Sequence, residues 1–259
     1  MAAYSSPPPP EPLGLTDSPP APSVRPKQSG LIAPMWHTVA ILVLLLGLSG
    51  LSAWKGSASP AASRGEYGRA LNYATVFVWE WLTVAFIAWG VRLRGNSLSG
   101  LIAGGWPNAT AMLRDLRVAG LFLIGSDVIL SLLHLAAGDK PNQALRDLLP
   151  QTPLEITLWF GLAATAGFCE EVIFRGYLQN QLARLTGNLY AGMALQALIF
   201  GVSHSYQGWK AAAIIAVYGA MFGWLAIYRV TLRPGMIAHF LQDGIGGMIA
   251  REGLKHLPK

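Results

Sequence analysis

The sequence predicts an all-α, polytopic integral membrane protein with seven to eight transmembrane helices. Of its 259 residues, 53% are hydrophobic and only 12% are charged, whereas soluble domains carry about 25% charged residues. Twenty-nine glycines and nine tryptophans are typical of helices that pack closely in a bilayer and of aromatic side chains at its headgroups. This composition disfavours a soluble enzyme, a disordered protein and a disulfide-stapled secreted domain.

Seven apolar blocks, each close to the length of one bilayer crossing, predict the individual helices. Charged residues or polar turns bound them, and a break into two helices within 152–186 would give an eighth. The blocks are 31–54, 70–91, 118–137, 152–169, 188–205, 211–228 and 234–250.

The chain divides into three parts. Residues 1–30 hold nine of the seventeen prolines and few large apolar side chains, so we expect an extended or disordered tail. Residues 31–151 are expected to form the N-terminal transmembrane helices. Residues 152–259 are expected to form a C-terminal transmembrane core.

The net charge of +6 lies between the apolar blocks rather than in a basic patch with interleaved aromatics. We therefore expect a lipid bilayer, and no nucleic acid, as the partner of this charge. Six basic residues before the first block and between the second and third favour a cytoplasmic N-terminus, although Lys55, Arg64 and Arg69 oppose it. The favouring residues are Arg25, Lys27, Arg92, Arg94, Arg114 and Arg117.

Ionisable residues inside apolar blocks are the candidates for function, because burying each one is costly. Glu80, Asp127 and Glu155 each stand alone in a block, which favours a structural role over a catalytic one. Glu170 and Glu171 are adjacent, and Arg175 follows Glu171 at the i, i+4 spacing of a helical ion pair. Glu170 projects about 100° away, so it is either a free general base or part of an ordinary helix end.

Two further blocks repeat the i, i+4 spacing. Phe200 precedes His204 near the end of one block, and His239 precedes Asp243 near the middle of the last. Three helices that each bury a carboxylate or a histidine are most simply explained if the side chains converge on one cavity among the C-terminal helices.

These segments resemble the three motifs of the CPBP intramembrane proteases. That family includes the type II CAAX prenyl endopeptidases and bacteriocin-processing or self-immunity homologues. Glu170-Glu171-Val172-Ile173-Phe174-Arg175 is similar to EExxxR, Phe200-Gly201-Val202-Ser203-His204 to FxxxH, and His239-Phe240-Leu241-Gln242-Asp243 to HxxxN. The resemblance covers roughly 152–250.

The resemblance implies a glutamic protease that uses no metal and no cofactor, in an integral membrane protein of the bacterial inner membrane. By it, Glu170 and His204 activate a water, and His239 and Asp243 stabilise the oxyanion. Glu171, Arg175 and Phe200 support the site. The implied substrate is a membrane-associated or lipidated, CAAX-like protein or peptide, and the oligomeric state is not indicated.

Position 243 departs from the motif, because an ionised aspartate cannot donate a hydrogen bond as asparagine does. Asp243 is therefore expected to be a protonated donor, or else a carboxylate that orients His239. We favour the first.

Three alternatives remain at this point. A zinc protease could use Glu170, His204 and His239 as ligands, although the chain contains no HExxH. A non-catalytic immunity or scaffold protein, or a transporter, could retain the same polar cavity. Cys169 as a nucleophile paired with His204 is the weakest, because a lone helical cysteine usually packs in the core.

Overall fold

The computed structural model describes residues 30–58, 66–138 and 147–255, and within these ranges it contains helices and no strands. The predicted proline-rich tail lies outside the described residues, apart from Gly30. The helices are α1 (Met35–Ala58), α2 (Glu66–Arg92), α3 (Leu98–Ile102), α4 (Ala109–Ala137), α5 (Pro153–Glu170), π1 (Glu171–Leu178), α6 (Gln179–Thr186), α7 (Leu189–Ser203), α8 (Trp209–Arg229), α9 (Arg233–Leu241), π2 (Gln242–Gly246) and α10 (Gly247–Lys255).

Within the described ranges, four helical segments are long and apolar enough to cross a membrane: Gly68–Arg92, Ala109–Ala137, Pro153–Thr186 and Trp209–Arg229. Two shorter apolar helices accompany them. The predicted helical membrane protein is confirmed, but the predicted count of seven to eight spans is not. The break within 152–186 that would have given an eighth span does not occur, because α5, π1 and α6 form one continuous helical segment.

Helix α4 shows how these segments meet lipid. Large apolar side chains are exposed at helical spacing along one face, which in water would be costly. This stripe is formed by Leu121, Ile124, Val128, Leu132 and Leu135. The buried residues of α4, which include Ala119 and Ser126, face the rest of the protein.

The main core surrounds π1. Buried residues of α1, α2 and α7 pack against Cys169, Val172 and Tyr177. Helices α5 and α9 approach closely at Gly167, where an added Cβ would lie 2.9 Å from the Met236 carbonyl oxygen. This close contact places the last motif helix directly against the first.

A series of buried side-chain hydrogen bonds connects α1 to π1 and α6. His37 Nε2 donates to the Phe86 carbonyl at 3.0 Å, since a carbonyl oxygen can only accept. His37 Nδ1 therefore accepts from the Tyr177 hydroxyl at 2.8 Å, and Tyr177 accepts from Thr38 at 3.1 Å. Gln181 in turn donates to Thr38 at 2.8 Å. Each polar group is satisfied, so this series stabilises the fold.

Candidate active site

Two of the three motifs of the candidate site contain a π-helical turn. The segment Glu171–Leu178 continues α5, and Gln242–Gly246 continues α9. Such i→i+5 turns within α-helices are rare and occur frequently at functional sites. The α-helical geometry expected for both motifs is thus locally wrong. The wider turn begins immediately after Glu170 in one case and just before Asp243 in the other.

The predicted pair between Glu171 and Arg175 is present, although it lies on a π-turn. Arg175 Nη1 lies 3.0 Å from Glu171 Oε1, and both side chains are almost completely buried. Arg175 also donates to the Gly219 carbonyl at 3.3 Å. Its guanidinium lies 4.4 Å from the centre of the Phe200 ring and 5.0 Å from that of Phe222. The cation is therefore held by charge and by two aromatic faces.

His239 lies among three carboxyl groups. Its Nδ1 is 3.1 Å from Glu171 Oε1, and a carboxylate accepts, so Nδ1 carries a proton. Its Nε2 is 3.7 Å from Glu170 Oε2 and 3.5 Å from Asp243 Oδ2. Glu171 thus joins Arg175 to His239 and fixes the ring so that Nε2 faces the other two acids.

Glu170 differs from Glu171 as the sequence predicts. Glu171 Oε1 contacts both Arg175 and His239. Glu170 Oε2 is buried and has no hydrogen-bond partner among the described residues. Glu171 Oε2 also lacks a hydrogen-bond partner among these residues, so the two acids differ in their close contacts. Arg175 and His239 both engage Glu171 Oε1, whereas Glu170 lies 3.7 Å from His239 Nε2 and its side chain is 17% exposed.

Phe200 lies on α7, and His204 is the residue that follows the last turn of this helix. His204 Nδ1 donates to the Phe200 carbonyl at 2.8 Å, which leaves Nε2 as the proton acceptor of the neutral ring. The Phe200 ring lies 4.7 Å from the His204 ring and 6.4 Å from the His239 ring. Phe200 therefore lies near both histidine rings, and the described contacts include no direct bond between His204 and Glu170.

Asp243 faces the site from π2, and its side chain is 37% exposed. Its backbone is held by Trp159, whose indole donates to the Asp243 carbonyl at 3.0 Å. Glu171 donates no proton but accepts from His239 Nδ1, while Asp243 Oδ2 lies 3.5 Å from Nε2 of the same ring. The expected role of Asp243, as a protonated donor or as a carboxylate that orients His239, therefore stays a prediction.

Sequence reasoning missed Glu80. This side chain of α2 is only 6% exposed, and it interacts electrostatically with Glu170, His239 and Asp243. The sequence around an isolated acid in an apolar block does not show which other acids lie near it. Glu80 and its neighbours are on helices that are far apart in the sequence.

Of the other two isolated acids, Glu155 has structural partners: it completes a capping box with Thr152 and lies 2.8 Å from Arg69. Asp127 is exposed on α4 and lies near Gln242 of π2. Cys169 is fully buried in the core cluster, as its packing interpretation predicts.

No group of three or more histidine, cysteine, aspartate or glutamate side chains placed to hold a metal ion occurs among the residues that the structure describes. The zinc alternative is therefore supported by the types of residue in the motifs alone, and an activity assay with a chelator is needed to test it.

Residues 152–245 match the family model described as type II CAAX prenyl endopeptidase Rce1-like. This part of the chain is an Rce1-like domain. It begins at the cap of α5 and ends within π2, so it contains every motif residue described above. No curated protein and no solved structure matches the chain.

The Rce1-like domain confirms the recognition made from the three motifs. It indicates a CAAX protease, which is a peptidase and therefore a hydrolase. Together with the apolar helices it also indicates an integral membrane protein that acts on a membrane-associated protein substrate in the bilayer.

Proposed function

We propose that the protein is an intramembrane glutamic endopeptidase that hydrolyses a peptide bond without a metal ion. The observation that carries this proposal is the contrast between adjacent carboxylates. Glu171 lies 3.0 Å from Arg175 and 3.1 Å from His239, while Glu170 lies 3.7 Å from His239 and its buried Oε2 has no hydrogen-bond partner among the described residues. The substrate class is a membrane-associated or lipidated, CAAX-like protein or peptide, as the Rce1-like domain suggests.

Glu170 and His204 activate the water in this mechanism. The water oxygen attacks the scissile carbonyl carbon while its proton passes to the Glu170 carboxylate. His204 presents Nε2 as an acceptor, since Nδ1 is bonded to the Phe200 carbonyl, and it holds the water through its second hydrogen. When the carbon–nitrogen bond breaks, the proton on Glu170 goes to the leaving amine.

His239 and Asp243 stabilise the oxyanion. For His239 to donate from Nε2 while Nδ1 is bonded to Glu171, the ring must carry both protons, and the Glu171 carboxylate stabilises that charge. A fixed cation in a water-poor site stabilises developing negative charge strongly. Asp243 contributes a second donor when it is protonated.

The decisive experiment compares membrane proteomes of cells that express the wild type or Glu170→Gln at equal folded amounts. The amide is nearly isosteric but cannot accept a proton at neutral pH. New protein termini should appear only with the wild type. If the variant produces the same termini, the glutamic mechanism is wrong. If neither chain produces any, the non-catalytic alternative replaces it.

A chelator separates the glutamic protease from the zinc protease. A farnesylated, internally quenched CAAX-type peptide, or a peptide spanning a site found in the proteome comparison, should be cleaved equally before and after dialysis against chelator. Loss of cleavage that zinc restores would make Glu170, His204 and His239 ligands instead.

We also propose that the protein lies in the inner membrane of a bacterial cell with its N-terminus cytoplasmic. The arginines that follow α2 and precede the apolar part of α4 support this orientation. A cysteine introduced by Gln28→Cys should not react with thiol reagents that cannot cross the membrane when they are added outside intact cells. Labelling from outside would reverse the topology.

A further inference from the structure

Glu80 lies level with the end of α5, where the first motif begins. Helices α2 and α5 run side by side in the same direction: Tyr73 contacts Trp159 with ring centres 5.9 Å apart, and Trp81 stacks on Phe168 at 5.4 Å. Since Glu80 immediately precedes Trp81, the same register places it beside the last turn of α5.

The side chain of Glu80 is directed into the protein rather than toward lipid. Val84, one helical turn later on the same face, packs in the core cluster with Cys169 and Val172, which flank the two motif glutamates. Glu80 itself is 94% buried, and its Oε2 atom has no hydrogen-bond partner among the described residues. The nearby Glu170 Oε2 shares this condition.

The charges around the two unbonded oxygens do not balance if every acid is ionised. Glu80 interacts electrostatically with acids and a histidine of both motif helices, and also with Cys169 and Tyr206. The site then holds four carboxylates against two cations. The carboxylates are Glu80, Glu170, Glu171 and Asp243, and the cations are Arg175 and a doubly protonated His239. Uncompensated negative charge in such surroundings is removed by retaining a proton.

We propose that Glu80 is a positioning residue for Glu170: its carboxyl group stays protonated and donates a hydrogen bond to the free oxygen of Glu170. This inference rests on the proposed function, because it assigns a role to the base of that reaction. The bond satisfies both orphaned oxygens with one proton. It fixes the Glu170 carboxylate for reaction with water, and it leaves Glu170 as the ionised member of the pair.

The proposal distinguishes two substitutions of Glu80. Glutamine supplies a neutral donor in nearly the same place, so Glu80→Gln should mimic the protonated acid and keep kcat within about fivefold of the wild type. Methionine has similar length and no donor, so Glu80→Met should lower kcat by about tenfold or more with little change in KM. A hydrogen bond to a charged group is worth about 1.5–3 kcal/mol, and each 1.36 kcal/mol corresponds to a factor of ten in rate.

The rates are measured per folded protein with the quenched peptide, in the same membrane preparation for all variants. Thr83→Val is the matched control, because Thr83 is buried on the same helix and its hydroxyl donates to the Trp79 carbonyl of that helix. It should leave kcat unchanged. If Glu80→Met does not accumulate, Glu80→Leu replaces it.

Two results would overturn the proposal. Full kcat in Glu80→Met would show that Glu170 needs no such donor. An equal loss in Glu80→Gln and Glu80→Met would show that Glu80 acts as an anion. Glu170→Gln in the same assay distinguishes failure of the proposed function from failure of the role of Glu80. Activity in Glu170→Gln would reject the proposed function itself. An inactive Glu170→Gln together with a fully active Glu80→Met would reject only the role of Glu80.

Discussion

Glu171 determines what its neighbours can do, because one of its oxygens faces both Arg175 and His239. It neutralises the guanidinium and fixes the proton of the imidazole on Nδ1. Glu170, one residue earlier, has no contact with Arg175 among those described and lies 3.7 Å from His239 Nε2. Two identical side chains thus acquire different chemistry from their positions on a single helix.

Arg175→Ala should lower the free energy of unfolding by about 3–5 kcal/mol, because it leaves Glu171 buried without its cation. The loss of aromatic contacts with Phe200 and Phe222 adds to this effect. Thermal denaturation in detergent, read from the amount of protein that remains monodisperse, measures the change. Arg94→Ala, at an exposed position, is the control and should be nearly neutral. If the thermal midpoint of Arg175→Ala equals that of the wild type, the ion pair does not stabilise the protein.

Asp243→Asn should retain activity and extend it to higher pH. Asp243 Oδ2 lies 3.5 Å from His239 Nε2, and Glu171 already orients that ring. If Asp243 donates to the oxyanion, raising the pH ionises it and places a negative charge beside the developing one. Asparagine donates at every pH, so the alkaline loss of rate should disappear. A pH–rate profile tests this, and a uniform decrease at all pH values would favour the orienting carboxylate.

At the scale of elements, the π-turns set the geometry of the site. Each turn lies where a motif helix would otherwise be regular, and each is bordered by a close helix contact. Gly235 on α9 leaves room for Glu171: an added Cβ would lie 2.9 Å from Glu171 Oε2. The small residue on one helix therefore positions the acid on another.

Gly235→Ala should reduce turnover more than it reduces stability. The new methyl group would displace the Glu171 carboxylate and thereby tilt His239, and small displacements in a catalytic site cost up to about a hundredfold in rate. The assay is kcat per folded protein with the quenched peptide.

Gly161→Ala is the matched control, because Gly161 is helical on α5 and an added Cβ would meet nothing within 4 Å. That change should raise stability by up to about 1 kcal/mol and leave kcat unaltered. Equal rates in the two variants would show that the contact at Gly235 does not position Glu171.

Local patterns predicted the elements that depend on local interactions. The apolar block 152–169 predicted α5, which spans Pro153–Glu170, and the spacing of Glu171 and Arg175 predicted their contact. The π-turns could not be predicted, because no residue type specifies an i→i+5 bond. The role of Glu80 could not be predicted either, since it depends on how α2 packs against α5.

At the scale of the whole molecule, the first described residues join the N-terminal helices to the Rce1-like domain. Gln181 of α6 is fully buried. It accepts from the Ile32 and Ala33 amides and donates to the Ala33 carbonyl. Gly30 accepts from Arg184 at 2.8 Å. A domain that the family match bounds at residue 152 is thus completed by chain from before α1.

Removal of residues 1–29 should leave membrane insertion, thermal stability and turnover unchanged, because the tail has too few apolar side chains to bury a core and every contact of Gly30 is retained. Removal of residues 1–34 should instead destabilise the protein. It deprives buried Gln181 of its backbone partners, and each buried polar group left unsatisfied costs about 1–3 kcal/mol. Melting of the two truncated chains against the full chain, with folded protein in the membrane quantified, separates these cases. Equal loss in both would assign a structural role to the tail, whereas no loss in either would show that Gln181 finds other partners.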